Sequence, residues 1–512
     1  MTTESRTSKS IRNAKVALLF YFLNLVLQFF SRKIFLDYLG SEVLGLNTTA
    51  NNLLSFLNLA ELGIGGAVAY SLYKPLYNQD REAINGIVSI QGWFYRRIAY
   101  IVITGSCILM CFFPMIFAKA NVPLGYAYGS FIVLLIAALL SYFVNYNQIV
   151  LSADQKEYKI TFSVQGIKVL KILFQVIAIR FLNHGYVWWM ALEVVMAVVT
   201  SYMLHKSVKS EYPWLKPKIS EGKFLQKQYP EIITNTKQIF FHKIGTFVLT
   251  QTSPLIIYAY ASLTLVAIYG NYMLIIFGVT LLIDALMRGI NAGVGSLVAE
   301  GDKKKIKTVF WELTTLRIWI ASIICFGIYT LGDSFITLWV GKEYILPKFA
   351  FIVLTINTFI TLSRANDIFL GAYGLYKDIW APITEAILNL GLSILLGYYW
   401  GLTGILSGVL ISLIIIVCLW KPYFLYKEGF KESVAEYAIR YSKYILCIGS
   451  ACFLSNLIIK KLTITPSENF IYWLLYSLIA ITVYFTISFM ILYSTDKYYK
   501  KMILRFIQLI HK

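Results

Sequence analysis

The sequence predicts an all-α polytopic membrane protein. Hydrophobic residues make up 58% of the 512 positions, charged residues only 14%, and the mean hydropathy is +0.66, where a soluble domain carries about 25% charged residues. The apolar residues are gathered into about fourteen stretches of roughly 20 residues, each long enough to cross a bilayer. The connections are mostly shorter than about 12 residues, which leaves no room for a soluble domain.

Taken in order, the spans are expected near residues 16–38, 43–73, 92–118, 124–151, 160–182, 186–206, 240–260, 264–298, 308–330, 349–371, 379–399, 402–424, 437–459 and 470–493. Aromatic clusters mark several span ends, as at Trp188-Trp189, Tyr398-Tyr399-Trp400 and Tyr498-Tyr499. Amphipathic rings favour the headgroup region. With the N-terminus inside, the net charge of +20 sorts by face. Arg6, Lys9, Arg12, Lys15, Lys206, Lys209, Lys216, Lys218, Lys223, Lys227, Lys303, Lys304, Lys305, Lys307, Lys427, Lys431, Lys497, Lys500, Lys501 and Arg505 fall inside. Lys119, Arg180, Lys342, Lys348, Lys460 and Lys461 fall outside. This is the positive-inside asymmetry. It places both termini in the cytoplasm and assigns the basic charge to topology and to anionic membrane lipid. Nucleic acid is not an expected partner, because no recognition motif accompanies the charge.

The longest loop, 207–238, is cytoplasmic and carries Pro213, Pro217 and Pro230 among many lysines. It divides the chain into an N-terminal six-helix lobe (1–206), the linker (207–238), a C-terminal six-helix lobe (239–426), and a final helix pair with a basic tail (427–512). The lobes resemble each other. The second span ends in Gly63-Ile64-Gly65-Gly66-Ala67 and the eighth in Gly289-Ile290-Asn291-Ala292-Gly293; Asp80 and Asp302 follow. The fourth ends in Asn147-Gln148-Ile149 and the tenth in Asn366-Asp367-Ile368. Both matches are six spans apart, as in a parallel repeat about an axis along the membrane normal. Two such lobes imply a central cavity and alternating access.

Ionisable groups inside the bilayer cost several kcal/mol, so they face a cavity or a partner. The candidate cationic set is Arg32, Lys168, Lys171, Arg288, Arg317 and Arg364. The candidate polar lining, with acids for ion coupling, is Gln28, Asn47, Asn51, Asn58, Glu61, Asp284, Asp367 and Glu385. Helical spacing puts Asn47, Asn51, Asn58 and Glu61 broadly on one face. Plainer roles stand beside these. Asp284/Arg288 and Arg364/Asp367 also suit structural ion pairs, and Arg317 and Lys168 suit snorkelling to the cytoplasmic face. The excess of cations favours an anionic ligand, since guanidinium groups pair well with phosphate.

The run Ser31-Arg32-Lys33-Ile34-Phe35-Leu36-Asp37-Tyr38-Leu39-Gly40-Ser41-Glu42 resembles the end of the first span in Wzx-type polysaccharide flippases, and Phe56-Leu57-Asn58-Leu59-Ala60-Glu61-Leu62-Gly63 resembles their second span. These flippases belong to the multidrug/oligosaccharidyl-lipid/polysaccharide exporter superfamily. The resemblance implies a flippase of a bacterial inner membrane, moving undecaprenyl-pyrophosphate-linked oligosaccharide repeat units outward for O-antigen, capsule or exopolysaccharide synthesis. It implies coupling to an H+ or Na+ gradient and no cofactor, with a polysaccharide polymerase and a chain-length regulator as partners. Arg32 and Arg288 carry over as phosphate ligands and Glu61 as an ion-coupling acid. In the repeat Glu61 aligns with Met287, so the second lobe lacks that acid.

Sister exporters are the alternative. Multidrug exporters of the superfamily usually have twelve spans and peptidoglycan-precursor flippases fourteen. A membrane polymerase or glycosyltransferase is a further alternative, but the largest outer loop, 331–348, holds only Asp333 and Glu343 as acids. No Walker-type phosphate loop is present. Cys107, Cys111, Cys325, Cys418, Cys447 and Cys452 fall within spans and read as small packing residues. His184, His205, His242 and His511 lack metal-ligand spacing. The basic first 15 residues read as a cytoplasmic tail and not a cleaved signal.

Overall fold

In hydrocarbon a backbone must satisfy its own hydrogen bonds, and a chain this apolar does so as helices. The structure is a computed structural model. It describes the backbone of residues 6–510 apart from 62, 376, 377 and 379. Side chains are described for the same residues except 6–11, 14, 60, 238, 241–243, 245–246, 248–250, 284–292, 296, 299 and 506–510. Among the described residues, eleven helices are long and apolar enough to cross a membrane. Two of these contain a glycine that breaks the helix, and each broken helix supplies two of the expected spans. The helix Glu231–Tyr260 supplies a further span, which reconciles the structure with the count expected from sequence.

The chain forms two compact units, Met1–Ala267 and Ile268–Lys512. The first begins with α1 (Arg6–Leu57), broken at Gly40 with φ 84° and ψ 168°, a conformation that favours glycine. A 3-10 turn, Asn58–Glu61, and Gly63 at φ 97° then precede α2 (Ile64–Asn78). The second span, expected as one helix over 43–73, is therefore bent at 58–63. Next come α3 (Arg81–Cys111), α4 (Leu124–Phe143), α5 (Glu157–Phe181), α6 (Gly185–Glu211) and α7 (Glu231–Tyr260). Within this unit α1 packs along α5, α5 along α6, and α3 against α2 and α4. The Asp80 carboxylate caps α3 by accepting the Ala83 N–H at 3.0 Å, filling a donor the helix leaves free.

At the end of the unit where α5 begins and α6 stops, Lys156 bridges Asp154 at 2.8 Å and Glu211 at 2.7 Å, and Glu211 also holds Lys159. Burial opposes the charge on Lys156, yet the two carboxylates outweigh it and hold its pKa above the usual lysine value. The N-terminal segment is tied to the same corner. The Asn13 side chain donates to the Gln155 carbonyl and accepts the Tyr158 N–H, both at 2.9 Å.

The long helix α8 (Leu263–Glu300) runs into the second unit. It is followed by α9 (Lys303–Trp339), α10 (Lys348–Leu362), α11 (Trp380–Leu413), α12 (Ala435–Ile459), α13 (Phe470–Thr495) and α14 (Lys497–Ile510). Asp302 caps α9 as Asp80 caps α3, accepting the Lys305 N–H at 3.1 Å. Because α9 reaches Trp339, the outer loop expected from 331 shrinks to residues 340–347.

The final pair, α12 and α13, is fastened to α9. Trp311 stacks on Tyr437 with centroids 5.8 Å apart, and Phe326 stacks on Tyr484 at 4.2 Å. The Trp319 indole donates to Ser488 at 3.0 Å, and the Trp473 indole donates to the Leu331 carbonyl at 3.2 Å. Such partners spare a buried indole N–H its desolvation cost.

In α11 the break is Gly401, at φ 53° and ψ −134°, and the chain doubles back on itself. A Cβ added at Gly404 would overlap the Leu396 carbonyl, and one at Gly408 would overlap the backbone of Ser393. The two arms of α11 thus touch backbone to backbone, the contact that small residues allow between membrane helices. Beyond α11 lie π-helical turns at Ile414–Trp420 and Leu425–Phe430. Gly404→Val is expected to lower stability by about 1–3 kcal/mol, read as an earlier thermal transition of the detergent-solubilised protein. Gly391→Ala, where nothing lies within 4 Å, is expected to leave the transition unchanged.

Candidate functional site

The charged side chains of the spans gather within each unit. In the first unit, Lys171 on α5 pairs with Glu193 on α6 at 2.8 Å. The Gln175 amide, one turn along, donates to the other Glu193 oxygen at 2.9 Å. Glu193 is only 8% exposed and was not among the residues expected from sequence. Lys168, one turn before Lys171, has no hydrogen-bonding or ion-pair partner among the described residues. Arg32 on α1 donates through Nη2 to the Ala267 carbonyl at 3.1 Å. Gln28 lies one turn before it and is half-buried. Arg32 stands about 12 Å below the Gly40 end of α1, and Lys171 about 15 Å below the Phe181 end of α5, at 1.5 Å per residue.

The polar residues of the second span do not form one stripe. Asn47 accepts a hydrogen bond from the Tyr186 hydroxyl at 2.7 Å, near the start of α6. Asn51 is exposed. Asn58 accepts from Tyr142 on α4, and Glu61 from Tyr95 on α3, both at 2.9 Å. The two tyrosine rings meet edge to face at 5.6 Å. The expectation that Asn47, Asn51, Asn58 and Glu61 share a helical face fails because Asn58–Glu61 is a 3-10 turn, which changes the angular step. Asn58 and Glu61 line a pocket of about 330 Å³ with Ser55, Gly66, Phe247 and Gln251.

In the second unit, Arg317, Arg364, Asp367, Glu385 and Lys421 form one cluster. Arg317 donates to the Arg364 carbonyl at 2.6 Å. Arg364 faces Glu385 at 3.5 Å and Asp367 at 3.9 Å, and Lys421 holds Asp367 at 2.7 Å. Lys421 was read from sequence as neither inner-face charge nor site residue. Arg317 is 9% exposed and spends its guanidinium on this cluster, so it does not snorkel. Arg364 and Asp367 are a pair, as one sequence reading had it, but inside a larger group. Glu385 continues along α11 into Asn389 and Ser393, at four-residue steps, all buried. Both Asn389 amide atoms lack a hydrogen-bond partner among the described residues. The side chains of Asp284 and Arg288 lie outside the described residues, so their expected pairing and roles have no structural account.

Lys171, Arg317 and Arg364 are each held by a carboxylate or a carbonyl, and so is Arg32. Positive charge still exceeds negative in both places. Lys168 and Lys171 stand against Glu193, and Arg317, Arg364 and Lys421 stand against Asp367 and Glu385. Among the described residues no group of His, Cys, Asp and Glu is arranged to hold a metal ion.

No protein-family model and no curated protein matches the sequence. Solved structures do match its fold. A lipid II flippase MurJ in an inward closed conformation aligns with 94% of this chain and 99% of its own, at a TM-score of 0.64 and 15% identity. An inward-facing multidrug resistance MATE family transporter of the MOP superfamily covers 82% of this chain and 99% of its own, with a TM-score of 0.62 and 13% identity. An outward-facing MATE family transporter of that superfamily covers 84% and 97%, at 0.50 and 14%. The chain has the polytopic all-α fold of MOP-superfamily transporters.

Breaking the Lys171–Glu193 pair from one side leaves a charge stranded in the bilayer. Glu193→Ala is therefore expected to cost about 3 kcal/mol or more, seen as a lower thermal transition in detergent. The double substitution Lys171→Met with Glu193→Leu is expected to recover most of that loss, because both charges leave together.

Proposed function

We propose that this protein is a flippase for a lipid-linked glycan, carrying a polyprenyl-pyrophosphate oligosaccharide from one leaflet to the other by alternating access. The observation that carries the reading is the surplus of positive charge within the spans. Hydrocarbon does not solvate cations, and keeping them there without a use is costly. A pyrophosphate is the anion that Lys168 and the arginines suit best. The lipid tail stays in the bilayer while the glycan rides among amides and tyrosine hydroxyls. Glu61 in its pocket and Glu385 beside Asn389 are the carboxylates best placed to take up H+ or Na+ as a gradient-coupled cycle requires. The cargo we favour from the Arg32 and Glu61 sequence runs is a surface-polysaccharide repeat unit in a bacterial inner membrane, handed on to a polymerase and a chain-length regulator.

A second reading has its own support. The fold likeness to the lipid II flippase extends over nearly the whole chain, whereas the MATE family transporters leave a share unmatched that is comparable in length with the final helix pair. That favours a peptidoglycan lipid precursor as cargo over a drug.

The test is to delete the gene and profile lipid-linked glycans by mass spectrometry, with wild type, Arg32→Ala and Lys168→Ala supplied in trans. Lys168→Ala removes no hydrogen bond or ion pair among the described residues, so it is expected to accumulate in the membrane normally and to lower flipping about tenfold. Trapped repeat units with loss of surface glycan support the first cargo. Trapped peptidoglycan precursor with a failing cell wall supports the second. Unchanged pools of both overturn the proposal.

A further inference from the structure

The first unit carries an open crevice of about 410 Å³ on the side where α1 and α5 begin and α6 ends. Its walls are apolar, built from Val16, Phe162 and Met203, and its rim is polar, with Lys159, Lys206 and Ser210. The gradient runs along the helices. Lys159 and Ser210 lie within the first and last turns of α5 and α6, at headgroup depth. Phe162 lies about 4.5 Å deeper than Lys159 and Met203 about 10.5 Å deeper than Ser210, at 1.5 Å per residue, toward the acyl chains. Phe162 is 60% exposed, which on a membrane span means exposure to lipid.

The charges around the rim are uneven. Glu211, an acid beside the rim, is already occupied by Lys156 and Lys159. Lys206 is exposed and has no ion-pair partner among the described residues. Arg12 adds a third cation, stacked 3.8 Å above the Tyr158 ring that also lines the crevice. A cleft with apolar walls and an uncompensated ammonium at headgroup level is complementary to a phosphodiester that carries a hydrocarbon tail.

We propose that this crevice binds one anionic phospholipid of the leaflet it opens to, with its phosphate on Lys206 and Ser210 and an acyl chain between Phe162, Val16 and Met203. The site is separate from the transport residues and stands whether or not the flippase reading does. Its occupant ties the N-terminal segment to α5 and α6 through a ligand that zwitterionic lipid does not replace.

The test is native mass spectrometry of the full-length protein in detergent, titrated with phosphatidylglycerol, phosphatidylcholine or glycerol 3-phosphate. Phosphatidylglycerol is expected to bind, with phosphatidylcholine and the free headgroup at least about fivefold weaker. Lys206→Ala is expected to weaken phosphatidylglycerol about fivefold, the effect of one lysine near a charged lipid surface. Lys209→Ala makes the same charge change on the same turn but outside the crevice, and is expected to change nothing. Ser210→Trp keeps every charge and fills the crevice, and is expected to abolish the tightest binding. Equal losses from Lys206→Ala and Lys209→Ala would mean diffuse charge and overturn the proposal. So would equal retention of phosphatidylcholine, or no effect of Ser210→Trp. Thermal transitions matching wild type establish that the variants are folded.

Discussion

Everything in this molecule answers to one constraint: hydrocarbon neither donates nor accepts a hydrogen bond. Backbone amides meet it by coiling into helices. The side chains meet it less obviously, and tyrosine does much of that work. Four buried hydroxyls, on Tyr95, Tyr142, Tyr186 and Tyr272, each donate to a carboxylate or amide oxygen, on Glu61, Asn58, Asn47 and Asp333. A tyrosine spans the gap between two helices with an apolar body and delivers one donor at its tip. The 37 tyrosines are therefore more than anchors at the headgroups. They close off polar groups that a span would otherwise leave facing lipid.

The same constraint explains which charges are engaged. Among the described residues, Lys171, Arg317 and Arg364 are each met by an acid or a carbonyl. An anion entering such a site competes with Glu193 or Glu385 for its cation. In the proposed cycle that competition would let a site hold pyrophosphate firmly and still release it, because the displaced carboxylate is there to return. Lys168 is an exception among the described residues of the first unit, and in the proposed cycle its position one turn from Lys171 would make it the first contact for an arriving phosphate.

Much of the fold was legible in the sequence because hydropathy and charge asymmetry report the two properties a bilayer selects. Dihedral angles are invisible to both. The span breaks expected at 38/43 and 399/402 bracket Gly40 and Gly401, but only their positive φ shows how the chain turns there within one continuous helical run. The site was legible where a charge is conspicuous, as at Arg32, Arg364 and Glu385. It was not legible where geometry decides. Glu193 sits among Met190, Ala191, Leu192, Val194 and Val195 and gives no hint of a partner on another helix. Asn47, Asn51, Asn58 and Glu61 fit one helical face by counting, but a 3-10 turn separates the last two from the rest. Lys421 drew no reading from the sequence, and the structure pairs it with Asp367.

The orientation of Lys421 rests on the wide turns on either side of it. A π-helical turn carries an extra residue and so rotates everything downstream around the helix axis. Rewinding 414–420 as an α-helix of the same length would carry Lys421 around the helix axis, away from Asp367, without altering the composition of the span. This stretch consequently tolerates exchange among apolar residues while resisting any change of length. In a lineage of related chains, insertions and deletions should stop short of it even where its sequence drifts freely.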